Sequence, residues 1–405
     1  MAKIAILGFG TVGSGVAEVL TENNDIIEQK LAEKLELKYI LDVRDFSGSP
    51  FADKMIKDFS VIENDPEIEV VVETIGGAKI AYEFTKRALL SGKHVVTSNK
   101  ELVATRGEEL LQIAKDKNIN YMFEASVGGT IPIIRPLKDC LPANRIDEIC
   151  GILNGTTNFI LTRMIKANLE FSDALKEAKE LGYAEQDPTA DIEGHDACRK
   201  ICILSDLTYG RNFSPESVYT EGITKITLED AEYAASGGYV IKLLGRAKLR
   251  PDGKLYMMVA PHLIKKECPL AYIEDAFNGI MIKGNACDEV MFYGRGAGKR
   301  PTASAVLADV MDAVRHRKAR KNIYWNGSGN DMMADLGEHI YPMYYRVKSS
   351  SAKIGGVYKI ACLLGESPDE CAFITEPLSG NEHKERLGLL EKACGVLSKI
   401  RVLED

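Results

Sequence analysis

The chain has 405 residues, a formal net charge of −8 and 45% hydrophobic residues, with 27% charged. That length calls for two or three domains with substantial cores, and the acidic balance argues against nucleic-acid binding through phosphate contacts. No apolar run is long enough to cross a membrane, and nine cysteines without a C-x-x-C pair fit reduced thiols, so a cytoplasmic protein is expected.

A strand is read at Ile4–Gly8, starting so early that a signal peptide finds no room. Gly8-Phe9-Gly10-Thr11-Val12-Gly13 follows it directly and opens a helix over Gly13–Leu20. In that context G-x-G-x-x-G permits a tight turn, and the helix N-terminus attracts a pyrophosphate, so a dinucleotide site is expected. A second strand, Leu37–Val43, ends beside both an acid and a base, Asp42 and Arg44. An acid there favours the ribose hydroxyls of NAD, whereas Arg44 would hold the 2′-phosphate of NADP; NADP is preferred and NAD stays open.

Strands at Glu69–Glu73 and His94–Thr97, helices at Ala81–Leu90 and Arg106–Lys117, and a strand at Asn120–Glu124 complete the alternation. Strands alternating with helices predict a parallel, doubly wound sheet. Lys100 falls after the fourth strand, where ligands of such sheets gather. Tyr82-x-x-x-Lys86 looks like a short-chain dehydrogenase pair, but its early crossover helix makes it a coincidence of spacing.

From about Arg145 the pattern shifts to longer helices and alternating strands, including Leu255–Pro261 and Gly279–Lys283, before a helix at Pro301–Arg317. Within this part lies GYAEQDPTADIEGHDACRK, Gly182 to Lys200. Asp196 and Lys200 stand four apart and share a helix face, next to the apolar Ala197, Ile203 and Leu204. A lysine against apolar surface, held by a carboxylate, is a tunable proton donor. The acids before it (Glu185, Asp187, Asp191, Glu193) suit a substrate with an ammonium group, and Asn154-Gly155-Thr156-Thr157 offers donors for a carboxylate. With six scattered histidines and no zinc-like cluster, the proton chemistry falls to Lys100, Lys200 or both. The residues thus read as an NAD(P) oxidoreductase of a small amino acid. The tail reads strand (Met343–Val347), helix (Gly356–Leu364), strand (Cys371–Thr375), helix (Glu382–Lys399), strand (Ile400–Leu403).

Taken in order, GFGTVGSG from Gly8, TSNK ending at Lys100, EASVGGTIP from Glu124, NGTTNFIL from Asn154 and the Gly182–Lys200 stretch resemble homoserine dehydrogenases. VYTEGITKITLEDAEYAASGGYVIKLLG from Val218 and GRGAGKRPTASAVLADV from Gly294 extend the resemblance to about Val314. It implies reversible interconversion of L-homoserine and L-aspartate 4-semialdehyde, on the route to threonine and methionine. It also implies Lys200 as acid/base, with Lys100 beside it near the nicotinamide. By the same match Glu185, Asp191 and Asp196, with Tyr183, Gly155 and Thr156, would meet the amino acid. Thr11, Val12, Thr74, Ser98, Gly182 and Gly298 would join the glycines and Lys100 around the cofactor. The family also holds a monovalent cation, usually sodium, at the segment matching Glu124, Val127, Gly129 and Ile131; Thr130 stands where many relatives have a glycine.

The implied organisation is a Rossmann-type domain (1–135 plus about 300–325), an α+β substrate and dimerisation domain (136–299), and a βαββαβ-like tail (338–405) similar to ACT regulatory domains. A homodimer or homotetramer is expected. In the tail, the usual acidic, Pro-Gly lead-in to the first helix reads Ser349-Ser350-Ser351-Ala352-Lys353-Ile354-Gly355-Gly356, which leaves an L-threonine effector open. The competing readings are a dehydrogenase of another small amino acid or semialdehyde, and a non-catalytic, NADP-binding regulatory protein.

Overall fold

The structure, a computed structural model, describes residues 1–321, 323–351 and 354–404. It divides into two compact units. The first comprises Met1–Asn144, Cys202–Ser214 and Gly294–Gly329. In chain order it begins β1 (Ala2–Leu7), α1 (Thr11–Glu22), α2 (Asn24–Leu31), β2 (Leu35–Leu41) and β3 (Met55–Ile56). It continues α3 (Ser60–Glu63), β4 (Ile68–Glu73), α4 (Lys79–Leu90), β5 (His94–Thr97), α5 (Lys100–Asp116) and β6 (Tyr121–Met122).

The apolar runs AKIAIL, VVV and HVV are buried almost throughout, as strands covered on both faces must be. They form a parallel sheet of order β3-β2-β1-β4-β5-β6. The order reverses between β1 and β4, so the carboxyl ends of those strands flank the crevice where such sheets bind ligands. Strands β1 and β2 start and end one or two residues before the expected bounds. The two-residue β3 lies outside the expected strands, carrying too little pattern to be read. Helix α5, expected over Arg106–Lys117, begins at Lys100 because Asn99 caps it, its side chain accepting from Leu102 N–H.

The second unit holds Arg145–Ile201, Pro215–Tyr293 and Asn330–Asp405, its last described residue being Glu404. It runs β7 (Ile146–Ile152), α6 (Gly155–Ala167), α7 (Phe171–Glu180), α8 (Thr189–Ile192) and α9 (His195–Tyr209), whose second half belongs to the first unit. There follow β8 (Tyr219–Thr220), α10 (Leu228–Ser236), β9 (Tyr239–Leu249), β10 (Leu255–Lys265), β11 (Phe277–Gly284) and β12 (Asp288–Arg295). After α11 (Lys299–Arg315), which packs on α1 in the first unit, come β13 (Ile340–Tyr341), β14 (Met343–Lys348), β15 (Ile360–Glu366), β16 (Cys371–Thr375), β17 (Leu378–Ser379), α12 (Gly380–Ala393) and β18 (Gly395–Val402). Gly15 lets α1 and α11 approach closely, since a Cβ there would lie 2.8 Å from the Lys299 carbonyl oxygen.

One mixed sheet carries most of the second unit, in the order β12-β11-β7-β9-β10-β18-β14-β16-β15. The tail strands are therefore continuous with those of the preceding region, joined where β18 runs parallel to β10. The helix expected over Gly356–Leu364 is absent: turns at 354–357 lead into β15, which pairs antiparallel with β16. Exposure alternates along most of Ile360-Ala361-Cys362-Leu363-Leu364, a period of two that a sheet-edge strand satisfies and a helix does not. Ala352 and Lys353 of the altered lead-in lie outside the described residues. The last helix is also shorter than expected. It stops at Ala393, and Val396–Lys399 belong to β18 instead.

Asp230, fully buried, caps α10 in a reciprocal box with Thr227 and accepts from Tyr344 Oη at 3.0 Å and Arg346 Nε at 2.9 Å. It thereby ties α10 to β14. Asp230→Ala would leave the buried Arg346 guanidinium short of its main counter-charge, so a loss of about 3 kcal/mol in urea-denaturation stability is expected. A change below about 0.5 kcal/mol, the range of ordinary surface substitutions, would show that the tie contributes nothing.

Candidate functional site

In the first unit, Gly8 takes φ +88°, and a Cβ on it would lie 2.9 Å from the Thr74 carbonyl oxygen. A Cβ on Gly13 would fall 1.9 Å from the Gly8 carbonyl oxygen, so no larger residue fits there. Thr74 Oγ1 donates to that oxygen at 2.8 Å, joining the glycine loop to the end of β4. Thr11 and Val12 open α1 with Gly10 at its N-cap and no acid in the first turn. This is a cradle for a pyrophosphate, closed to side chains and free of nearby negative charge on the helix.

Asp42 sits just beyond β2, 8% exposed. Its carboxylate accepts from Phe9 N–H at 2.7 Å and from Arg44 through Nε at 3.1 Å and Nη2 at 2.8 Å. The Arg44 guanidinium holds that carboxyl well below the usual range. Arg44 itself stays 59% exposed at the side chain, with Phe46 beneath it.

The ends of β4 and β5 are organised by a group that sequence reading passed over. Glu73 is fully buried and accepts from Thr97 Oγ1 at 2.6 Å and Ile75 N–H at 2.6 Å. Burial pushes its carboxyl up to about 7, against the pull of those hydrogen bonds. Asn99 Nδ2 donates to the Ile75 and Gly77 carbonyls, so the 74–77 loop and the start of α5 are fixed together. Ser98 and Lys100 flank that asparagine, with Lys100 as the first residue of the helix. Gly298, with φ +126°, is the N-cap of α11. Tyr82 and Lys86 meet each other and Glu109 in a half-buried link between α4 and α5, a structural role.

The segment after β6 also lies in this unit. Glu124, Val127, Gly129 and Ile131 are buried, and Gly128 (φ +76°) and Gly129 (φ +57°) turn the chain through consecutive left-handed conformations. The Glu124 carboxylate accepts from Ile133, Ile134 and Arg135 N–H, which ties both ends of the loop. Thr130 is not among the residues of positive φ, so its side chain brings no backbone strain.

The second unit assembles the lysine cluster. Lys200, 6% exposed, donates to Asp196 Oδ2 at 2.7 Å and to the Leu153 carbonyl at 2.7 Å. Asn154 Nδ2 donates to Asp191 Oδ1 at 2.7 Å and Asp196 Oδ2 at 2.9 Å. Its Oδ1 meanwhile accepts from Thr157 N–H at 2.8 Å as the N-cap of α6. One asparagine therefore starts a helix and locks two carboxylates; a cap directly after a strand could have revealed the first role but not the second, whose partners are distant in sequence. Thr156 Oγ1 donates to the Tyr183 carbonyl at 2.7 Å, and Gly155 packs against Ala276, where a Cβ would lie 2.8 Å from the carbonyl oxygen.

The acidic approach divides in two. Asp191 joins the lysine cluster through Asn154, whereas Asp187 accepts from Thr189 in a local turn and Glu193 accepts from Thr224. Gly182 (φ +75°), Tyr183 and Glu185 are exposed on the loop after α7. Lys100 and Lys200 stand in different units.

Two family models match the chain: the NAD-binding domain of homoserine dehydrogenase over residues 8–124, and homoserine dehydrogenase over residues 132–311. Homoserine dehydrogenase of Bacillus subtilis (strain 168) is 41% identical over 320 residues, covering 78% of this chain and 73% of that protein. That of Corynebacterium glutamicum is 39% identical over 376 residues, covering 90% and 83%. Among solved structures, a homoserine dehydrogenase from Thiobacillus denitrificans superimposes with a TM-score of 0.90 at 35% identity, over 100% of this chain and 98% of that one. A hyperthermophilic archaeal homoserine dehydrogenase mutant in complex with NADPH gives 0.65 at 30% identity, over 77% and 97%.

Glu73 offers a test by pH. Its folded pKa stands above the unfolded value of 4.5, so folding takes up a proton between them. That contribution to stability is present at low pH and is lost as pH rises through the folded value near 7. Glu73→Gln, which cannot ionise, should gain on the wild type in thermal stability as pH is raised from about 5 to about 8. Parallel stability curves would show that Glu73 carries no such proton.

Proposed function

The chain belongs to the homoserine dehydrogenase family, and on that premise we propose how its residues share the reaction. The reaction is reversible, NAD(P)-dependent hydride transfer between L-homoserine and L-aspartate 4-semialdehyde. The nicotinamide, when bound, supplies or takes the hydride at carbon.

The buried cluster of Lys200, Asp196 and Asn154 carries the assignment of Lys200 as acid/base. Lys200 would give its proton to the aldehyde oxygen on reduction and recover it from the alcohol on oxidation. Asp196 and the Leu153 carbonyl hold the ammonium in one place, and burial keeps competing water from it. Asp191, linked to the cluster through Asn154, is the first partner proposed for the substrate ammonium. Glu185, with Tyr183, Gly155 and Thr156, is proposed to complete the amino-acid site. In the first unit, Lys100 and Ser98 are proposed to line the nicotinamide end, with Thr74 and the glycine loop along the cofactor. Gly182 and Gly298 are proposed as cofactor contacts of their own units.

NADP is the proposed cofactor, with NAD as the alternative. Asp42, the acid that would hold a ribose hydroxyl, already accepts from Phe9 and Arg44, while the Arg44 guanidinium remains largely exposed for a 2′-phosphate. A sodium-like cation held by the carbonyls of Glu124, Val127, Gly129 and Ile131 is proposed to brace the buried loop, supported by its consecutive left-handed glycines. Place in threonine and methionine biosynthesis, a homodimer or homotetramer, and an L-threonine effector rest on the family resemblance alone. No helix among the described residues is long and apolar enough to cross a membrane, and a cytoplasmic location is part of the same proposal.

Lys200→Ala should lower kcat by at least about 10²-fold, the scale of a lost general acid, with NADP affinity retained. Turnover near the wild-type rate would remove Lys200 from that role. Arg44→Ala should raise KM for NADP about tenfold relative to NAD, as loss of a charge-assisted contact to phosphate implies. An unaltered ratio of the two KM values would separate Arg44 from cofactor choice.

A further inference from the structure

Away from the lysine cluster, the second unit contains a two-lobed cavity between α12, β18 and the segment that follows β8. The lobes have volumes of about 220 and about 160 Å³ and share Glu221, Leu387 and Lys399 in their walls. Among the described residues, neither is lined by Ser349–Ser351 or Ile354–Gly356, nor by any residue proposed for substrate or cofactor.

The smaller lobe carries a charge imbalance. Arg401, Lys384 and Lys399 line it, against the single carboxylate of Glu221. Arg401 is also pre-positioned. Its guanidinium lies 4.5 Å from the centre of the Tyr219 ring and 5.8 Å from that of Tyr341. Glu221 meets Arg401 Nη1 at 3.2 Å and also accepts from Tyr219 Oη at 2.8 Å, so it is shared between two donors. Arg401 Nε is buried without a hydrogen-bond partner. His383, 4% exposed, lines the same lobe, with Nε2 on the Tyr341 carbonyl at 2.8 Å and no partner at Nδ1.

A guanidinium held between two aromatic faces loses little freedom on binding, and a planar donor fork suits carboxylate or phosphate oxygens. Two further ammonium groups at the mouth of the lobe raise the local concentration of anions. An amino acid in its zwitterionic form would gain little from this wall, where cations outnumber acids three to one. A compact dianion would gain most.

We propose that this lobe is a binding site for a small organic anion, recognised by Arg401 with Lys384 and Lys399 through a carboxylate or phosphate group. The site is separate from the catalytic cluster, so its occupancy is read by binding and not by turnover.

The test is isothermal titration of the full chain, saturated with NADP to fill the dinucleotide site. L-malate serves as carboxylate probe, inorganic phosphate as phosphate probe and L-serine as zwitterion. The expected result is saturable binding of malate or phosphate, whichever is tighter identifying the source, weakened about tenfold in Lys384→Ala and more in Arg401→Lys. Lys384 is exposed, so its removal should not disturb folding or basal turnover. Three results would overturn the site: no saturable binding of either anion up to ~10 mM, binding untouched by both substitutions, or L-serine binding as tightly as the anions.

Discussion

A buried ammonium at the end of β7 sets the conditions that the surrounding chain must meet. An isolated charge at the depth of Lys200 would cost several kcal/mol, so its position is tenable only with partners fixed in advance. Those partners come from a carbonyl at a strand end, a carboxylate one helical turn away, and an asparagine that restrains that carboxylate. Because Asn154 is at once the cap of α6 and the donor to Asp191 and Asp196, the geometry of α6 and the acids facing the lysine cannot be adjusted separately. The same arrangement that makes the lysine structurally acceptable is the one its proposed acid/base role requires. It is dry, held, and beside a group that accepts from it.

The first unit solves a parallel problem with opposite sign. A dinucleotide brings negative charge, and the loop that receives it presents backbone N–H groups with no acid in the helix turn behind it. Two acids near this end are engaged by the chain's own donors. Asp42 accepts from Phe9 and Arg44, and Glu73 is buried with a raised pKa under the 74–77 loop. Each therefore shapes the backbone without opposing the phosphates.

What could be read from the sequence was whatever depends on spacing along one element. Gly8, Gly10 and Gly13 constrain a single turn, and Asp196 and Lys200 share one helical face, so both arrangements are visible in a string of letters. What escaped depends on groups distant in sequence. Glu73 meets Thr97, and Asn154 meets Asp191 and Asp196, pairings that only the folded chain creates. The tail shows a different failure. Gly356–Leu364 has enough apolar residues for a short helix, and the alternation that makes β15 a strand becomes decisive only because β16 lies alongside. Likewise Val396–Lys399 could prolong α12, but pairing with β14 draws it into β18.

The placement of β18 has a consequence for how the protein is made. Of all the strands described it leaves the ribosome last, yet it sits inside the sheet, between β10 and β14. Until it arrives, part of β10 exposes unpaired backbone groups along an edge already flanked by apolar residues, the kind of surface that recruits other nascent chains. Arg246 must also wait for Glu404, its second carboxylate partner, to emerge. The sheet of the second unit is thus closed only once residues 395–402 are in place, and until then that edge of β10 stays open.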